Sequence, residues 1–144
     1  MGRIRSIGIA LALFVFVQAS TGVANAACKG ADPAIVSAAV KGITSDGKVN
    51  RYALNIRVVN FGSMKQPSNV LQSVQVYQNA IKLDTKGLPP LKPGQAYNFT
   101  YVFQRSIDAG DGTSTLNLKL VVSKPTPPGN MDCNLTNDTY SVTF

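Results

Sequence analysis

All the acid–base chemistry open to this 144-residue chain rests on seven carboxylates, and every one is Asp: 32, 46, 84, 108, 111, 132 and 138. There is no His and no Glu. Without an imidazole there is no Ser–His or Cys–His nucleophile pair and no ordinary general base. The usual zinc sites, built from His or several Cys, go with it. A paired-carboxylate mechanism would have to use Asp alone, and no two Asp stand in a recognisable active-site motif. The Ser and Thr hydroxyls have no base to activate them. No catalytic, cofactor-binding or metal-ligating residue is assigned, and a protein without enzymatic activity is expected.

Oxygen-rich clusters remain. Asp108 and Asp111 lie among glycines, and Asp132, Asn134, Asn137 and Asp138 lie close together near the C-terminus. Either cluster could offer oxygens to calcium, which takes about six to eight of them, usually with several carboxylates. Each cluster holds only two Asp, and Asp, Asn and Gly are also the residues that turns demand. Turn chemistry is the expected role, with Asn137 and Asp138 capping and orienting the last strand. Gln72, Gln75, Gln78 and Tyr77 could form an outward polar–aromatic strip; the plainer expectation is a solvated sheet face. Asn98-Phe99-Thr100, Asn134-Leu135-Thr136 and Asn137-Asp138-Thr139 are formal glycosylation acceptors. The first falls in mid-strand, a poor acceptor context.

The chain opens with a basic segment, Arg3 and Arg5, then an apolar run from Ile7 to Val17, then Ala24-Asn25-Ala26. This three-part pattern predicts a secretory signal peptide over residues 1–26. A membrane anchor needs about 20 apolar residues. The run here is shorter and leads into Gln18, Ser20 and Thr21, so no membrane span is expected. A single mature domain over 27–144 is predicted, exported to the periplasm, cell surface or medium. The two cysteines, Cys28 and Cys133, then meet an oxidising compartment, where an even number predicts a disulfide. Lipidation at Cys28 fits less well: Asn25 stands where a lipoprotein signal prefers an aliphatic residue, and Cys133 would be left an odd thiol. The 14 basic residues are scattered singly, without the clustering and interleaved aromatics of a nucleic-acid footprint.

Alternating apolar and polar residues run through almost all of the mature sequence, the signature of strands with one buried face. Tyr52, Leu54, Ile56 and Val58 alternate with Arg51, Ala53, Asn55 and Arg57. Tyr97, Phe99, Tyr101 and Phe103 repeat the pattern. So do Leu116, Leu118, Leu120 and Val122, and then Tyr140, Val142 and Phe144. Shorter candidates are Val36, Ala38 and Val40, and Val74 and Val76 within 72–78. Turn residues punctuate these runs: Ser45-Asp46-Gly47-Lys48, Asn60-Phe61-Gly62-Ser63, Leu88 to Gly94, and 108–112. Six or seven short strands so spaced predict an antiparallel β-sandwich. The expected core is Tyr52, Leu54, Ile56, Val58, Val74, Val76, Phe99, Tyr101, Leu116, Leu118, Leu120 and Val142. Cys28 and Cys133 precede the first and last predicted strands by similar offsets, which suits a parallel pairing of those two strands, as in many immunoglobulin-like sandwiches.

Three stretches carry a resemblance. Ile56-Arg57-Val58-Val59-Asn60-Phe61-Gly62 resembles the V-x-N-x-G signature of the CARDB domain, the cell-adhesion-related domain of bacteria. Leu88-Pro89-Pro90-Leu91-Lys92-Pro93-Gly94 resembles that family's L-x-P-G segment, and 132–140 its polar turn before the terminal strand, though with no Glu and with Cys133 in its midst. The resemblance spans about residues 32–144 and implies an immunoglobulin-like antiparallel β-sandwich of about seven strands. It also implies an envelope or extracellular module that binds or spaces. The functional expectation is an exported, non-catalytic binding or adhesion module with a protein or surface glycan partner. The alternatives are a structural or assembly component of a cell-envelope complex and a small-ligand or inhibitor protein. An apolar patch on a sheet face would favour the envelope component, and a pocket between the sheets would favour the ligand binder.

Overall fold

The structure is a computed structural model that describes residues 29–110, 112–123 and 132–144. Seven strands are present: β1 (Pro33–Ser45), β2 (Val49–Asn60), β3 (Gln72–Gln78), β4 (Ile81–Leu88), β5 (Ala96–Ser106), β6 (Thr115–Val122) and β7 (Thr139–Thr143). They form two antiparallel sheets, one ordered β1-β2-β5 and the other β4-β3-β6-β7. The chain changes sheet between β2 and β3, between β4 and β5, and between β5 and β6. The expected immunoglobulin-like sandwich is therefore observed. The predicted leader, 1–26, lies outside the described residues.

Alternation places the core as the sequence predicts over most of its extent. Leu54, Ile56, Val58, Val74, Val76, Phe99, Leu116, Leu118 and Leu120 are buried between the sheets. Tyr52, Tyr101 and Val142 pack against them partly exposed. Tyr52, Phe103 and Phe144 close one end of the sandwich, with the Tyr52 and Phe144 ring centroids 4.9 Å apart.

Three expectations are corrected. Val36 does not continue the inward parity of Ala38 and Val40. Ile35 pairs with Val58 and Ser37 with Arg57, leaving Val36 as an extra residue, so Ile35 takes the buried place. The first and last strands do not pair in parallel: β7 lies antiparallel to β6, in the sheet opposite β1. The segment before β7 instead reaches the segment before β1 by single bonds, Cys133 N–H donating to Ala31 O at 3.0 Å. The third concerns β4, which none of the named alternating runs contains. Its residues 81–87 are all exposed, because it is an edge strand of the four-stranded sheet and overhangs the three-stranded one. Asp84 and Lys86 lie on its inward side, opposite Val76 and Val74, and inward-pointing charge of this kind keeps an open edge from pairing with another molecule.

Candidate functional site

Asn60, at the end of β2, is fully buried and uses its whole amide. Its Oδ1 accepts from the N–H of Asp32 and of Gly62, both at 2.9 Å. Its Nδ2 donates to the carbonyls of Met64 at 2.9 Å and Leu91 at 3.0 Å. One side chain thus ties together the lead-in to β1, the β2–β3 connection and the β4–β5 connection. Gly62 is required beside it: a Cβ there would lie 2.1 Å from Gly30 O and 2.6 Å from Asp32 N. Gln66 repeats the arrangement nearby. It exchanges amide hydrogen bonds with Gln72 and accepts from Leu91 N–H at 2.9 Å. Gln72 also donates to Pro89 O. Gln72 is therefore buried and structural, and not part of an outward strip. Pro93 and Gly94 (φ 70°) complete the tight turn before β5, with Gln95 N–H donating to Lys92 O at 2.9 Å.

Beyond this scaffold lies an acidic junction. Asp32 is buried, and its Oδ1 accepts from Asn137 Nδ2 at 2.8 Å. Asp132 Oδ1 accepts from Asn134 N–H at 3.1 Å, and Asn134 Oδ1 from Thr136 Oγ1 at 2.6 Å. In place of the expected capping of the last strand by Asn137 and Asp138, Asn134 caps the one-turn helix Leu135–Asn137 that precedes β7, and Asn137 reaches across to Asp32 near the other terminus. Burial pushes the Asp132 carboxyl up to about 7, with the charges of Asp138 and Asp32 adding to it against the Asn134 N–H. Burial likewise raises Asp138, the neighbouring Asp32 contributing. Asp132 Oδ2 and Asp138 Oδ1 are buried with no other partner. The two carboxyls interact, and burial side by side favours holding one proton between them. Asn137 Oδ1 is also buried without a protein partner.

The remaining sequence candidates separate. Asp108 is exposed in a one-turn helix beside β5, its N–H bonded to Ser106 Oγ, and Asp111 lies outside the described residues. Arg105 organises that loop instead, its guanidinium donating to the carbonyls of Gly112, Ala109 and Gly110. Asn98 is exposed on β5. Cys28 lies outside the described residues. Cys133 Sγ sits 3.1 Å from Ala31 O, and no free thiol occurs among the described residues.

Among the described residues, two depressions stand out on the surface. One, of about 280 Å³, opens at the end of the sandwich beside Tyr52, Phe144 and Arg105. The other, of about 640 Å³, lies on the outer face of the four-stranded sheet and is lined by Tyr77, Asn117, Lys119, Thr139, Tyr140 and Ser141. Of the anticipated strip, Gln75 and Tyr77 do share this face, the Tyr77 hydroxyl donating to Gln75 Oε1. Its other members were missed, although alternation in 116–122 already turns Asn117 and Lys119 outward. Asp32, Asn60 and Gln66 were missed as a network, because their partners are backbone groups brought together only by the fold.

No family model matches the sequence, and no curated protein matches it. Solved structures match by shape. The crystal structure of the CARDB domain of the PF1109 protein from Pyrococcus furiosus, in complex with di-metal ions, is 16% identical with a TM-score of 0.55, covering 81% of this chain and 94% of that one. The solution NMR structure of the same domain gives 16% identity and a TM-score of 0.54 over the same shares. The chain thus has the CARDB-type immunoglobulin-like fold that its three motifs resemble. Asp32 Oδ1 is engaged by Asn137, and among the described residues no group of three His, Cys, Asp or Glu is placed to hold an ion.

Proposed function

We propose that this immunoglobulin-like domain is an exported, non-catalytic module that acts by contact, its termini joined by a Cys28–Cys133 disulfide. The observation that carries this reading is the placement of the perturbed carboxyls. Asp132 and Asp138 are raised above the ordinary Asp range by burial, which is the mark of a candidate general acid. Neither lines either depression. They sit where the two ends of the domain meet, bonded to structure. The signal-like leader and the absence of His and Glu support the same reading.

Two alternatives lose ground. Of the exposed large apolar residues, Phe61, Met64, Leu71 and Leu135 lie in connections, Ile107 in the one-turn helix after β5, Ile81 and Leu83 on the edge strand β4, Ile43 near the end of the edge strand β1, and Val102 on β5. They do not form the apolar field across a sheet face that an assembly component would present. The two depressions found among the described residues lie at the end and on the outside of the sandwich, whereas a small-ligand carrier would hold its pocket between the sheets. The test is a screen of the purified exported protein against ester, glycoside, phosphate and peptide substrates, beside Asp108→Asn and Asp132→Asn variants. A flat screen is expected. Turnover well above background that drops more than roughly tenfold in either variant would contradict the proposal.

A further inference from the structure

We propose that the outer face of the β4-β3-β6-β7 sheet binds an anionic oligosaccharide, with a sugar ring against Tyr77 and acidic groups against Lys82 and Lys119. This rests on the contact-module reading and names its partner. Register sets the face out in two rows across all four strands. Lys82, Tyr77, Asn117 and Ser141 stand side by side, and next to them Thr85, Gln75, Lys119 and Thr139. Neighbours within a row are about 4.8 Å apart, the strand spacing. Each row holds one ammonium, one side-chain amide and at least one hydroxyl.

No residue that the register turns outward on this face is a carboxylate. Asp84 falls on the inward side of β4. Asp138, which feels the Lys119 charge, belongs to the proton-sharing pair. The face is thus cationic and complementary to acid. The hydrogen bond from the Tyr77 hydroxyl to Gln75, two residues back on the same strand, holds the phenol along the sheet. A ring so placed offers an apolar plane to a sugar, while amides and hydroxyls meet its hydroxyl groups in both donor and acceptor senses. Ser141 Oγ donates to Asn117 Oδ1 at 2.7 Å, which leaves the Asn117 amide hydrogens for a ligand. The composition argues against a protein partner, because protein interface cores are depleted in Lys and Ser and enriched in Met, Arg and several aromatics.

The experiment is calorimetric titration of the purified exported protein with oligogalacturonate at low ionic strength, with maltohexaose as the uncharged control. Oligogalacturonate is expected to bind and maltohexaose not. Tyr77→Ala and Lys119→Ala should each weaken binding roughly tenfold, whereas Arg57→Ala, outward on the opposite sheet, should change it less than about twofold. No binding, or no effect of Tyr77→Ala, would overturn the proposal. So would equal weakening by Arg57→Ala, which would mark attraction to net charge alone. Any of these results alongside a flat substrate screen removes the glycan and leaves the contact module standing. Turnover in that screen removes the contact module itself.

Discussion

Asn60 concentrates more structure than any other polar side chain described here. Four backbone groups from three separate connections bond to its amide, and all but the Met64 carbonyl do so in a buried setting. Removing it leaves two N–H groups and the Met64 carbonyl short of a partner, and leaves Leu91 O with the Gln66 N–H alone; each lost partner costs about 1–3 kcal/mol where the group is buried. Asn60→Ala should therefore lower stability by roughly 3 kcal/mol or more in urea melts, against under about 0.5 kcal/mol for Asn98→Ala on an exposed strand position. Equal, small losses would mean that the amide is not the clamp it is drawn as. The sequence marks Asn60 and Gly62 as turn residues, which is true but incomplete. The reason for the Gly is a backbone pressed against it from residues 30–32, and no local pattern announces a contact so distant in sequence. Gln66 was illegible for the same reason, since a buried glutamine in a polar loop differs from a solvated one only in what folds over it.

At the scale of elements, alternation was legible wherever a strand buries one face, as in β2, β5 and β6. It failed where the ladder slips or where neither face is covered. The extra residue in β1 shifts the parity at Val36, and β4 carries no buried face to read until Leu88. The β3–β4 turn is instructive. Asn79 (φ 48°) and Ala80 (φ 66°) are both left-handed, as a two-residue type I′ hairpin requires. Asn tolerates that conformation; Ala bears a steric cost of about 1–2 kcal/mol that Gly would not. Ala80→Gly should raise stability by about 0.5–1.5 kcal/mol, measured by urea denaturation. A loss of stability would show that the hairpin turns by another geometry.

The whole molecule is held at its two ends as well as in its core. Cys133, Asn137 and Asp132 bring the lead-in to β7 against residues 31 and 32, which is where a bond from Cys28 would arrive. Mass spectrometry of the protein produced with its leader and purified without reductant should show two fewer hydrogens than the dithiol. Two free thiols, or an acylated Cys28, would contradict the pairing. Closing so long a loop constrains the unfolded chain by up to about 4–5 kcal/mol on the chain-entropy view, so reduction should lower the melting temperature markedly.

The role of the Asp132–Asp138 pair decides between structure, metal binding and catalysis for the one unusual group of carboxyls, and a melt across pH tests it most directly. An Asp in the unfolded chain titrates at about 3.9; in the fold, burial and the charges of Asp138 and Asp32 push the Asp132 carboxyl up to about 7. A carboxyl raised on folding stabilises the native state when protonated. Its contribution is complete below the unfolded value and is lost as pH rises through the folded one. The melting temperature of the purified protein should therefore fall by roughly 3–5 °C between pH 5 and 8, after allowing for the half-exposure of the pair. Asp132→Asn, which keeps a donor and drops the charge, should flatten that fall. Calcium at about 5 mM, enough to fill extracellular calcium modules, should leave both curves in place. A melting temperature that rises with pH, or one that calcium lifts in the wild type and not in Asp132→Asn, would contradict the structural role and make the junction a cation site.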